Sequence, residues 1–162
     1  MRIFGKLSAT LLLMAAPTSI LAAQDVAAPS PVSLSGDVMA VKVTTDEAGV
    51  ETSELVQPDL IVPGDRLIFG TDYANNGAEP VTAFVVTNPL PAAVRLAPDA
   101  DPALSVSVDG GASWGLLADL TVTEADGTSR AATQADVTHV RWTLASIAPG
   151  EAGRLEYPAI IR

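Results

Sequence analysis

The sequence predicts an all-β protein folded as an antiparallel β-sandwich. Three observations carry that reading. Apolar residues alternate with polar ones at period two in several short runs, most cleanly Leu67, Phe69, Thr71, Tyr73 and again Val140, Trp142, Leu144, which is the pattern of half-buried strands. Turn signals built from Gly, Pro, Asn and Asp recur between these runs. No stretch after the N-terminal region has the 3.6-residue periodicity of an amphipathic helix. Each such strand has one face to bury, and two sheets laid face to face bury both.

The chain opens with a processing signal over residues 1–23. Arg2 and Lys6 form a short positive region, Leu7 to Ala16 is apolar or small, and Ala22-Ala23 offers a small-residue cleavage site before Gln24. That is a secretory signal peptide. Its apolar core ends at Pro17 and is far shorter than the ~20 residues that span a bilayer. The chain has no cysteine, so a lipid anchor at the cleavage site is excluded and packing alone must stabilise the exported domain. Residues 24–36, with Ala-Ala-Pro-Ser-Pro, read as a flexible leader, and residues 37–162 as one domain. That domain is long enough to close one core without staples.

Within the domain the elements follow in order. Val38 to Thr45 is a first strand, Asp46-Glu47-Ala48-Gly49 a turn, and Val50 to Val56 a second, more polar strand. Pro63-Gly64-Asp65 leads into a strand from Arg66 to Tyr73. Asn75-Asn76-Gly77 then predicts a hairpin reversal, because Asn-Gly supplies the positive φ of a tight turn. The returning strand, Val81 to Thr87, ends at Pro89 and Pro91, which cannot continue a ladder. Asn88 to Pro102 reads as an irregular crossover between sheets. Leu104 to Val108, Leu116 to Thr123, Val137 to Leu144 and Arg154 to Ile161 complete the set, with a turn at Glu124 to Gly127. The chain ends with its last predicted strand, with no second domain or terminal membrane helix to follow.

The run Pro-Gly-Asp…Tyr-x-Asn-Asn-Gly…Val-Thr-Asn-Pro-Leu-Pro, from Pro63 to Pro91, resembles the signature of the domain-of-unknown-function 11 repeats of bacterial envelope and surface proteins. Ser107 to Trp114 and the stretch from Asp136 through Trp142 to Gly153 extend the resemblance over roughly Val38 to Arg162. It departs at Asn88, where relatives usually carry Asp, and in having one copy where many are tandem arrays. The resemblance implies an immunoglobulin-like β-sandwich, exported from the cytoplasm, periplasmic or extracellular. It carries over no catalytic residues.

Composition narrows the partners. Nine basic residues face nineteen acidic ones, a net charge of −10, and loss of Arg2 and Lys6 would make it more negative. Such a surface repels nucleic acid and anionic lipid, both of which need Lys or Arg to neutralise phosphate.

The chemical motifs are few. Ser107-Val108-Asp109-Gly110-Gly111-Ala112-Ser113-Trp114 resembles the Asp-box hairpin of sialidase-like propellers. There Asp109 would accept bonds from turn amides, Gly110 and Gly111 would take positive φ, and Trp114 would fold onto the hairpin. One box is a structural hairpin; a propeller needs several blades. The aspartates at 99, 101, 109, 119 and 126 are the candidate Ca²⁺ ligands, but no loop spaces them as a cation requires. His139 is the only histidine; with no cysteine it cannot build a zinc site, and any Ser-His-Asp chemistry would depend on it alone. Alternation places it opposite Val140 and Trp142, toward solvent. The expectation is therefore a non-catalytic structural or protein-interaction module with an envelope or surface protein as partner, no cofactor and no metal. The candidate interaction edge is the second strand, through Glu51 and Glu54. The alternative is a ligand-binding module taking Ca²⁺ at the acidic loops or a glycan at Trp114.

Overall fold

A computed structural model describes residues 30–162; the predicted signal peptide, and the leader up to residue 29, lie outside the described residues. The strands are β1 (Val32–Thr45), β2 (Glu51–Val56), β3 (Arg66–Asn75), β4 (Val81–Pro89), β5 (Val94–Leu96), β6 (Ser105–Ser107), β7 (Gly115–Leu116), β8 (Thr121–Thr123), β9 (Ser129–Ala131), β10 (His139–Ile147) and β11 (Ala152–Ile161). One sheet runs β2-β1-β3-β11-β5 and a second β4-β10-β6-β7, while β8 and β9 form a small separate ribbon. Every pairing is antiparallel. The fold is all-β, with the two main sheets packed as a sandwich.

The core lies between those sheets. Leu67, Tyr157 and Ala159 from the first meet Val106 and Val140 from the second, with Val94 and Leu96 beside them. Each such Val or Leu side chain, fully removed from water, contributes roughly 1.5–3 kcal/mol. The aromatic centre is a stack: Phe69 lies parallel to Tyr157 at 5.0 Å between ring centroids, and Trp142 leans on Tyr157 from the other sheet at 6.2 Å. The alternating faces read from the sequence in β3 and β10 thus meet each other.

The expected hairpin between β3 and β4 is corrected. The two strands belong to different sheets, and Asn75 to Pro80 carries the chain from one to the other. Gly77 is not among the glycines with positive φ, so Asn-Gly makes no tight turn here. Gly77 is small for a different reason: a Cβ there would sit 2.7 Å from the Pro31 side chain.

A second crossing stands beside the first, where β10 passes to β11. The segments 66–89 and 139–161 pair along their whole length, Ala74 with Ala152 before the bend and Val81 with Ile147 after it. They form one long ribbon folded over, with β3 and β11 inside the larger sheet and β4 and β10 along one side of the smaller, where β4 is outermost.

Two further corrections concern boundaries. β1 begins at Val32 rather than Val38, so the last residues assigned to the leader form strand. Val32 to Ala40 pairs with β3 from Asn75 to Leu67, but Leu34 is half exposed, so no burial period marked the extension. The strand expected over Leu116 to Thr123 is broken by a 3-10 turn at Leu117–Asp119. Closing that turn, the Leu120 amide donates to the Leu117 carbonyl, and the Leu120 carbonyl accepts from Ala132 instead of from a continuing ladder.

Pro158 lies inside β11, where a proline should cost a ladder bond. A residue's N–H and C=O point to the same side of a strand, and the Pro158 carbonyl accepts from Ala97 on the β5 flank. Its missing N–H therefore falls on that flank, just past the end of β5, and the ladder to β3 stays whole.

Candidate interaction surface

β1 is much longer than its partner β3. From Val41 onward it pairs only with β2, so residues 41–56 project from the sandwich as a two-stranded ribbon. Directly paired residues share a face. Val41 with Leu55, Val43 with Ser53, and Thr45 with Glu51 make one face; Lys42 with Glu54 and Thr44 with Thr52 make the other. Val43, Val50 and Leu55 are about half exposed and Leu60, in the link after β2, is 84 % exposed. The turn at the tip is tied by Asp46, whose Oδ1 accepts from the amides of Ala48 and Val50, each at 2.9 Å.

β2 is the outermost strand of its sheet, with one row of backbone groups paired to β1 and no strand among the described residues on the other. Glu51 and Glu54 are both exposed, but they stand on opposite faces. Glu54 faces Lys42; Glu51 closes the end of the apolar face.

The Ser107–Trp114 hairpin closes as its residues predict. Asp109 Oδ1 accepts from Ser107 Oγ at 2.7 Å and from the Ser113 amide at 2.9 Å. Ser107 Oγ accepts from the Gly111 amide at 2.8 Å. Gly110 and Gly111 take φ of 78° and 94°, left-handed conformations that favour glycine. Trp114 Nε1 donates to the Gly111 carbonyl at 2.9 Å. The bonds from Ser113 and Ser107 hold the Asp109 carboxyl well below the usual carboxylate range.

The half-buried Trp114 ring is engaged by two side chains of β10. The Arg141 guanidinium lies 3.5 Å from its ring centroid and His139 meets it edge-on at 6.2 Å. Arg141 and His139 both project outward from β10, so the stack clamps the hairpin to the neighbouring strand. Sequence reasoning missed this contact; the signal was the i, i+2 spacing of His139 and Arg141 next to a motif whose tryptophan must fold somewhere.

Ser107, Asp109 and His139 lie near one another without the hydrogen bonds of a triad. Ser107 pairs with His139 across the strands, and Asp109 is close by. Yet the Ser107 hydroxyl donates to Asp109 and not to the imidazole, whose described polar contact is Nδ1 with Thr138 Oγ1 at 3.1 Å. A general base must reach the nucleophile's proton; here the Ser107 hydroxyl is turned to Asp109.

Several of the acidic residues are used within the fold. Asp99 takes a bidentate pair from Arg66 at 2.7 Å, which draws its carboxyl pKa down. Asp136 takes another from Arg130 at 2.7 Å and is likewise held well below the ordinary range. On the outer face of the larger sheet, Arg154 reaches Asp37, Asp72 and Glu156 from three strands. It lies over Gly70, where a Cβ would collide with the guanidinium. Among the described residues no group of three or more acidic or histidine side chains could hold a metal ion, and no helix is long and apolar enough to cross a membrane. Comparison of the chain with protein-family models, curated proteins and solved structures finds no match.

Proposed function

We propose that this chain is an exported, non-catalytic protein-interaction module of the bacterial cell envelope, an immunoglobulin-like relative of the domain-of-unknown-function 11 repeats. The observation that carries the reading is the projecting ribbon. A two-stranded ribbon is marginal alone in water, and this one presents Val41, Val43 and Leu55 on a single face beside an open backbone edge. An extended segment of a partner protein adds to such an edge by main-chain hydrogen bonds and gains specificity from the flanking side chains. The partner is basic as well as apolar. Between Val41 and Val62 one lysine faces five carboxylates, Asp46, Glu47, Glu51, Glu54 and Asp59, which discourages self-pairing and favours an opposite charge.

The Arg2, Lys6 and Ala22-Ala23 pattern supports export, and a mature N-terminus at Gln24 by mass spectrometry is the expected result. Retention of Met1 in the exported protein overturns that part. For the interaction, a photo-crosslinker at Thr52 should capture a discrete adduct in the native envelope. The double substitution Glu51→Lys with Glu54→Lys should abolish the adduct while leaving the melting temperature unchanged. An adduct that survives charge reversal removes β2 as the interface. A hydrolytic activity lost on His139→Ala would replace the binding reading by an enzymatic one.

A further inference from the structure

Away from the β2 edge, the sandwich has a pocket of about 330 Å³, room for roughly ten waters at liquid density. Its floor is core: Leu96, Leu104 and Val106 reach it from the two sheets. One wall is a pair of consecutive tight turns. The Ala100 amide donates to the Ala97 carbonyl and the Leu104 amide to the Asp101 carbonyl, with Pro98 and Pro102 at the second position of each turn. Proline there presets the turn's φ, so this wall is rigid before anything binds. Across from it stand Leu117 and Ala118 of the 3-10 turn, and the segment from Ala132 to Gln134.

Asp101 is the one charged residue among the described residues that line the pocket. Asp101 Oδ1 accepts from the Ala103 amide at 2.8 Å, but no cation among the described residues pairs with this carboxylate, unlike Asp99 two residues earlier. The Gln134 side chain makes no hydrogen bond with the described residues. An apolar, pre-formed concavity with a few polar groups at its rim is the form of a small-ligand site.

We propose that this pocket binds a compact apolar group carrying a cationic head, of the chemical class of alkylammonium ions. The apolar part fills the space over Leu96, Leu104 and Val106, where it displaces water from carbon surface. The head stays at the mouth, next to Asp101 and within the negative field of a chain carrying −10. A carboxylate head of the same length is excluded by the same field.

The test compares three probes of equal chain length, hexylammonium, hexanol and hexanoate, by amide chemical-shift titration of the full mature protein. Hexylammonium should shift the amides of Ala97, Leu117 and Gln134 and bind roughly fivefold tighter than hexanol, the scale of a solvent-exposed charge pair, with hexanoate weakest. Asp101→Asn keeps the turn's acceptor and should bring hexylammonium down to the level of hexanol. Ala118→Trp, at the exposed rim, should abolish binding of all three without changing the melting temperature. The proposal is overturned if no probe shifts these amides, if hexanoate matches hexylammonium, or if Ala118→Trp binds as the parent does. Binding at the ribbon would shift Val43 and Leu55 instead and so is read separately.

Discussion

Asn75 donates its side-chain amide to the backbone carbonyl of Ile147 at 2.9 Å, across the bend where the folded ribbon passes from one sheet to the other. The same amide donates to Glu79, the side-chain oxygen accepts from the Gly77 amide, and the backbone of Asn75 bonds Gly150 and Glu151. The residue is 1 % exposed. One buried side chain therefore satisfies polar backbone at both sheet crossings.

Asn75→Ala should cost roughly 3 kcal/mol in a urea melt, since each buried group it orphans costs about 1–3 kcal/mol. Asn75→Asp is the sharper test. An ionised carboxylate there would face two carbonyls with no proton to offer, so its folded-state pKa would be raised. The variant should be least stable at neutral pH and recover as pH falls and the carboxyl protonates. Equal stability of Asn75→Asp at pH 4 and pH 7 would show that the bend is held by something else.

Ca²⁺ and EDTA should leave the melting temperature of the protein the same within about 1 °C, because a ligand that binds only the native state must raise it. Of the five candidate aspartates, Asp99 is held by Arg66, Asp109 by Ser107 and Ser113, and Asp126 by Thr128, and no three acidic side chains among the described residues gather as a cation site. A saturable upward shift with Ca²⁺ would revive the ligand-binding alternative and displace the reading of these loops as structural.

How far these features were legible differs by residue. The faces of β3 and β10 were readable because burial imposes period two on the side chains, and Leu67, Val140 and Tyr157 ended in one core. The Ser107–Trp114 hairpin was readable because its bonds are local, made within eight residues. The bend at Asn75 was not, since its partners across the bend, Ile147, Gly150 and Glu151, lie some seventy residues away and the Asn-Gly pair mimics a tight turn. Nor was the start of β1 readable: Ser33, Leu34 and Ser35 extend a ladder set by β3 without burying a face. Glu51 and Glu54 were correctly placed on a strand. That they point to opposite faces follows from their odd spacing, and that the strand is outermost depends on tertiary pairing. The pocket beside Asp101 is assembled from three separate loops, and only its two prolines gave a local trace.

Ala83 is the one non-glycine residue with positive φ among the described residues, at 51°. It is exposed in the middle of β4, and pairing with β10 skips it between Thr82 and Phe84. An L-residue pays about 1–2 kcal/mol in this conformation, while glycine pays roughly 0.5–1 kcal/mol more backbone entropy on folding. Ala83→Gly should therefore stabilise the protein by about 0.5 kcal/mol, and Ala83→Val, β-branched, should destabilise it by more than 1 kcal/mol. If Gly and Val shift the denaturation midpoint in the same direction, the strain is absent.

Tyr157 is 1 % exposed, stacked on Phe69 and leaned on by Trp142, and burial pushes its phenol up to about 12 from the ordinary 10. The buried ring resists becoming phenolate, while in the unfolded chain the same phenol ionises near pH 10. Between those values the folded protein holds a proton that the unfolded chain has released. Stability is therefore fully present below pH 10 and falls as pH rises toward 12, by roughly 2 kcal/mol for this group. Tyr157→Phe should lower the overall stability little, because the ring and its stack remain, and should flatten that alkaline decline. Urea melts of both proteins at pH 8, 10 and 11.5 make the comparison. An identical decline in the Phe variant would move the alkaline sensitivity to another group and leave Tyr157 as a packing residue only.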